Sequence, residues 1–171
     1  GNGKIYANNV SAPVPGGLVR TNDSSSGSSG SLTIDGVDME NGDYYALSPS
    51  YSGSVTINSG NIKKTRAFAG SLTVNGGNIE RIDVWFNITI NINGGTIGTI
   101  DCTVADSYTT INIGDESKEI CENPVIHKLL DYLELTNWGI AINFNNGIIG
   151  FISSGGTCES EGITETVRSG Y

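Results

Sequence analysis

Soft and imidazole metal ligands are scarce in this chain. Its 171 residues include three cysteines and one histidine, and Cys102, Cys121 and Cys158 lack the paired spacing of a zinc site. Cations are scarce as well. Nine Lys and Arg stand against 18 Asp and Glu, for a net charge of −9 and a pI near 4.4. Such a surface repels phosphates, which argues against a nucleic-acid partner. No apolar run approaches transmembrane length, so no membrane insertion is expected. No signal peptide is visible, whether or not a leader once preceded Gly1. No Ser or Cys sits in a recognisable nucleophile motif. The glycine-rich stretches also lack the following helix and Lys-Ser/Thr pair of a phosphate-binding loop.

What the chain does have is glycine, 24 residues of it, and a repeat. Val55-Thr56-Ile57-Asn58-Ser59-Gly60-Asn61-Ile62 returns as Leu72-Thr73-Val74-Asn75-Gly76-Gly77-Asn78-Ile79, 17 residues on. It returns again 18 residues later as Ile90-Asn91-Ile92-Asn93-Gly94-Gly95-Thr96-Ile97. A later copy begins at Ile142, a looser one at Leu32, and a partial one covers Ile111 to Gly114. Apolar-x-apolar is the alternation of a strand with one buried face. Asn-Gly-Gly supplies residues that tolerate positive φ at a corner. A short period that cannot bury its own apolar face must stack on its neighbours. The expected fold is all-β, a parallel β-helix or β-solenoid of about five to six coils. Stacking aligns Asn58, Asn75, Asn93 and Asn145, with Asp35, in a corner column that reads as an amide ladder.

Three regions frame this body. Residues 1–31 form an N-terminal arm, with short strands expected near Lys4–Ala7 and Leu18–Arg20 and a Ser/Gly-rich linker from Ser24. The solenoid spans 32–153 and is interrupted by a helical insertion at about 123–136. Asn123 reads as its cap and Pro124 as its first turn, and Val125, Ile126, Leu129, Leu130 and Leu133 share one helical face. Residues 154–171 are a polar tail.

Adding the repeat period turns isolated residues into columns. Ala67, Val84 and Cys102 are expected inside, and Arg66, Asp83 and Asp101 outside. Asp83 and Asp101 could bind Ca²⁺ or serve as acid and base, although a surface ladder with Arg66 explains them more simply. Phe68 and Trp85 form an outward aromatic strip, suited to the C–H faces of sugar rings or to a protein partner if nothing in the chain covers it. His127, beside Lys128 on the polar helix face, reads as solvated. Asp115, Glu116, Glu119 and Glu122 make an acidic patch. Cys102 reads as a buried thiol, and Cys121 and Cys158 are available for one disulfide. Sequons stand at Asn9, Asn22 and Asn87.

The rung Ile92-Asn93-Gly94-Gly95-Thr96-Ile97 and the closing phrase Ile142 to Ile149 resemble repeats of bacterial, often Gram-positive, surface and secreted β-helix proteins. The resemblance covers roughly 32–114 and 139–152. It implies an extracellular or cell-surface protein. Such families include adhesins, filament-forming proteins, carbohydrate-binding solenoids and some polysaccharide lyases. The calcium cluster and catalytic Arg or Lys of those lyases have no counterpart that can be placed here residue by residue. The expectation is therefore a non-catalytic structural or adhesive protein that self-associates into a filament or oligomer. The alternatives are a carbohydrate-binding module for cell-surface glycan, and a lyase or hydrolase built on Asp83 and Asp101.

Overall fold

The computed structural model describes residues 4–8, 10–14, 18–21, 31–39, 47–48, 53–67, 70–85, 87–102, 109–131, 141–150, 152–154 and 166–167. Those residues form strands in two largely parallel sheets, with a single 3₁₀ turn, Ile120–Glu122. The body of the first sheet is Ser31–Asp35, Ser54–Ile57, Gly70–Val74, Ile88–Ile92, Thr110–Ile113 and Ala141–Phe144, in that order. The body of the second is Gly60–Ala67, Asn78–Val84, Thr96–Asp101 and Val125–Asp131, followed by Ile148–Ile149 and Ile152–Ser154. The chain alternates between the sheets, and each rung lies in parallel register on the one before.

The first sheet forms because its sequence alternates strictly. Leu32 and Ile34, Val55 and Ile57, Leu72 and Val74, Ile90 and Ile92, and Ile111 and Ile113 are all buried. They meet Ile62, Ile79, Ile82, Ile97, Ile100, Ile126 and Leu129 of the second sheet in one continuous core. Each large aliphatic side chain removed from water contributes about 1.5–3 kcal/mol. Cys102 belongs to this core with Ala67 and Val84, as the period predicts.

The corners between sheets are close-packed backbone. Gly95 adopts φ +89°, and a Cβ on it would lie 2.6 Å from the Gly77 carbonyl oxygen of the rung below. Both features require glycine. Side-chain amides tie the corners together: Asn75 Nδ2 donates to Asn58 Oδ1 and Asn93 Nδ2 to Asn75 Oδ1, each at 2.9 Å. Asn145 does not extend this ladder. The rung below it places Gly114 at the corner, which has no side chain to accept, so Asn145 Nδ2 reaches the Gly114 carbonyl at 3.5 Å. Asp35 is bound by the Ser59 hydroxyl at 2.7 Å.

Residues 125–131 are not helical. They form a strand that lies parallel on Thr96–Asp101, with Ile126 beside Ile97 and Leu129 beside Ile100. The second sheet bends at the rung position occupied by Lys63, Glu80, Gly98 and His127, where direct pairing skips a residue. The bend leaves two consecutive outward residues between inward ones, so Ile126 and Leu129 are spaced by three, like one face of a helix. Asn123 caps no α-helix. It is buried and organises the loop before it, accepting from the Asp115 amide at 2.6 Å and donating to the Glu119 carbonyl at 2.9 Å. Residues 132–136 of the expected insertion lie outside the described residues.

The described residues of the arm are part of the sheets, and the Ser/Gly-rich stretch from Ser24 to Gly30 lies outside the described residues. Lys4–Asn8 runs antiparallel along Ser31–Asp35. Val10–Val14 and Leu18–Thr21 pair antiparallel, and the latter adjoins Leu47–Ser48 of the second sheet. In the tail, Thr166–Val167 pairs with Asn143–Phe144.

Candidate functional site

The outward faces of the two sheets differ in chemistry. On the first sheet two columns run up the rungs. One is Ser31, Ser54, Ser71, Thr89, Thr110 and Ala141, and the other is Thr33, Thr56, Thr73, Asn91, Asn112 and Asn143. Asn112 Nδ2 donates to Asn91 Oδ1, and Asn143 Nδ2 to Asn112 Oδ1, at 2.8 Å each. This second amide ladder went unread in the sequence. Its signal was the Asn at the middle of Ile90-Asn91-Ile92, Ile111-Asn112-Ile113 and Ile142-Asn143-Phe144.

The second sheet carries most of the titratable groups of the described strands. Before the bend, Asn78 Nδ2 donates to Asn61 Oδ1 at 2.9 Å, and Thr96 continues that column. At the bend, Lys63, Glu80 and His127 project around Gly98, which offers no side chain. A Cβ on Gly98 would lie 2.4 Å from the Glu80 carbonyl oxygen. The result is a shallow groove of about 520 Å³ across the rungs, lined by Asn61, Asn78, Thr96, Lys63, Glu80 and His127 above the Ile62 and Ile79 backbone. Glu80 and His127 are exposed. The period sets Gly98 in one column with Lys63 and Glu80, but the groove was not foreseen, because reading 125–131 as a helix kept His127 out of that column.

Past the bend, Arg66, Asp83 and Asp101 stand in register as the period predicts. The cation that joins the carboxylates is Arg81, one column away. Its Nε meets Asp83 Oδ1 and its Nη2 meets Asp101 Oδ2. Asp83 and Asp101 retain little exposure, 7% and 8%. A guanidinium fork bridging two carboxylates is a charge-assisted structural clamp.

Arg66 lies instead over the Trp85 ring, 4.4 Å from guanidinium carbon to ring centroid. A cation over an indole face contributes roughly 0.5–1 kcal/mol at a partly exposed site. Trp85 is half-buried, with one ring face taken by Arg66, and Phe68 lies outside the described residues. Cys121 is exposed, with its Sγ 3.9 Å from Glu119 Oε2, and Cys158, its possible disulfide partner, lies outside the described residues.

The acidic loop is folded upon itself. The Asp115 carboxylate accepts from the Ser117 hydroxyl at 2.6 Å and from its amide at 2.9 Å. The Ser117 hydroxyl and amide, with Lys118 nearby, hold the Asp115 carboxyl below its ordinary value. Among the described residues, no three His, Cys, Asp or Glu side chains converge as a metal site. No described helix is long and apolar enough to cross a membrane.

The chain matches no family model, no curated protein and no solved structure. The reading of its function rests on its own geometry.

Proposed function

We propose that this chain is a non-catalytic, extracellular structural or adhesive protein, built as a β-solenoid of six stacked coils and acting as a rigid module at a cell surface. One observation carries the reading. From Ser31 to Phe144 every rung of the first sheet is in parallel register with the next, and the outward amides bind rung to rung rather than outward. The paired carboxylates that would best suit acid–base chemistry are clamped by Arg81. Polar groups spent on holding the stack together suit a spacer or scaffold.

Negative-stain microscopy with light scattering, across protein and Ca²⁺ concentrations, tests this reading. Rods, filaments or defined oligomers with no cleavage of a polysaccharide panel are expected. Turnover of any polysaccharide that is lost in Asp83→Asn with Asp101→Asn would overturn it.

The groove beside Gly98 favours a second reading, a carbohydrate-binding module. Amides, a carboxylate and an ammonium suit the hydroxyls of a sugar chain crossing the rungs, and the Arg66–Trp85 pair stands further along the same sheet. A glycan array tests it. Binding weakened by Glu80→Gln supports the groove, and binding weakened by Trp85→Ala supports the ring. Binding that survives both changes removes this site.

A further inference from the structure

We propose that the outward face of the first sheet is a self-mating surface, which pairs with the same face of a second copy of this chain. The proposal rests on the structural reading above and gives it a contact.

Charge is the first argument. The chain carries a net charge of −9, so two copies repel wherever their charged surfaces meet. The six strands from Ser31–Asp35 to Ala141–Phe144 carry no charged residue except Asp35, which sits at a corner. At the edge of the same sheet, Lys4 stands in register beside Asp35, and most other charges of the described strands lie on the second sheet, among them Lys63, Lys64, Arg66, Glu80, Arg81, Asp83, Asp101 and Lys128. The first sheet is the face on which two copies meet with least repulsion.

Geometry is the second. In-register parallel rungs repeat every ~4.8 Å. Two copies share this repeat by construction, so the small side chains of one face can seat between the columns of the other. Identical in-register stacks of short polar side chains close into dry interfaces in this way. A two-fold arrangement makes the contact self-complementary.

Desolvation is the third. The amides of Asn91, Asn112 and Asn143 already bind one another along the stack. Covering them leaves those bonds intact, which removes much of the cost of burying polar groups. The hydroxyls of the other positions both donate and accept, so they can pair across the contact.

Size sets the strength. Six strands of about five residues present roughly 24 Å by 16 Å, or ~400 Å² per copy. The ~800 Å² of a pair is about half a standard stable interface. The association is therefore weak and concentration-dependent, suited to chains crowded on a surface or laid side by side in a filament.

Sedimentation velocity over a wide concentration range tests the proposal, with folding of each variant checked by circular dichroism. Thr73 lies near the centre of the face. Thr73→Glu and Thr73→Lys each place like charges against each other across the two-fold contact, and each should weaken association by about tenfold or more. A general net-charge effect would instead make the two variants act in opposite directions, and that result overturns the proposal. Thr99→Glu, the same kind of change on the second sheet, should leave association unaltered. Association that survives both Thr73 changes places the contact elsewhere and leaves the structural reading standing. A wild-type chain that is monomeric throughout overturns the face pairing, and if microscopy also shows no assembly the structural reading falls with it.

Discussion

The two sheets share one interior and present two exteriors. Inside, Ile90 of the first sheet and Ile100 of the second are both fully buried in the same cluster. Outside, the first sheet is a neutral field of hydroxyls and amides, whereas the second bends, opens a groove at Gly98 and carries an Arg-bridged carboxylate pair. The repeat constrains the inward positions because a core tolerates little change in volume. It leaves the outward positions free to differ, and any function has to reside in that difference.

The sharpest way to break the account is through the shared interior. Ile90→Ala and Ile100→Ala should each cost about 2–5 kcal/mol in chemical denaturation. Each variant should still unfold in a single transition with an unchanged denaturant slope if both sheets belong to one cooperative core. Two separate transitions in either variant would divide the sheets into independent units. Next in size is the charged face. Arg81→Gln leaves Asp83 and Asp101 adjacent without their shared cation, and should cost about 1–2 kcal/mol, tempered by the partial exposure of Arg81. Adding Asp101→Asn should restore part of that loss, which a double-mutant cycle reads directly.

A smaller change sharpens the comparison in the opposite direction. The Thr65 hydroxyl is buried on a strand flanked in register by Ile82 and Leu47, with no hydrogen-bond partner among the described residues. Thr65→Val should therefore stabilise the chain by about 0.5–1 kcal/mol, seen as a higher denaturation midpoint. The smallest expected effect is at Asp115. A carboxyl held below its unfolded-state value contributes stability that is present above that value and is lost as pH falls through the folded one. Wild type should lose slightly more stability on acidification below the normal carboxylate range than Ser117→Ala. Parallel pH profiles for the two would remove the Ser117 contribution.

The sequence made the first sheet legible because strict alternation and an Asn-Gly-Gly corner each have one simple structural solution. The column arithmetic placed Ala67, Val84 and Cys102 inside and set Arg66, Asp83 and Asp101 in register. The second sheet was harder to read. Its bend spaces Ile126 and Leu129 by three, and Asn123-Pro124 carries a genuine helix-start pattern, so local signals agreed on the wrong element. Parallel pairing with Thr96–Asp101, a long-range term, decided the outcome. Side-chain choice was also hidden. Arg66 and Arg81 both flank Asp83, and the period alone does not say that Arg81 takes the carboxylates while Arg66 lies over Trp85.

The most direct test of the parallel stack is an NMR measurement of through-space contacts across residues 125–131. The account predicts cross-strand contacts from Ile126 to Ile97 and from Leu129 to Ile100. Contacts between residues three and four apart within 125–131, without those cross-strand partners, would make this segment a helix and contradict the account.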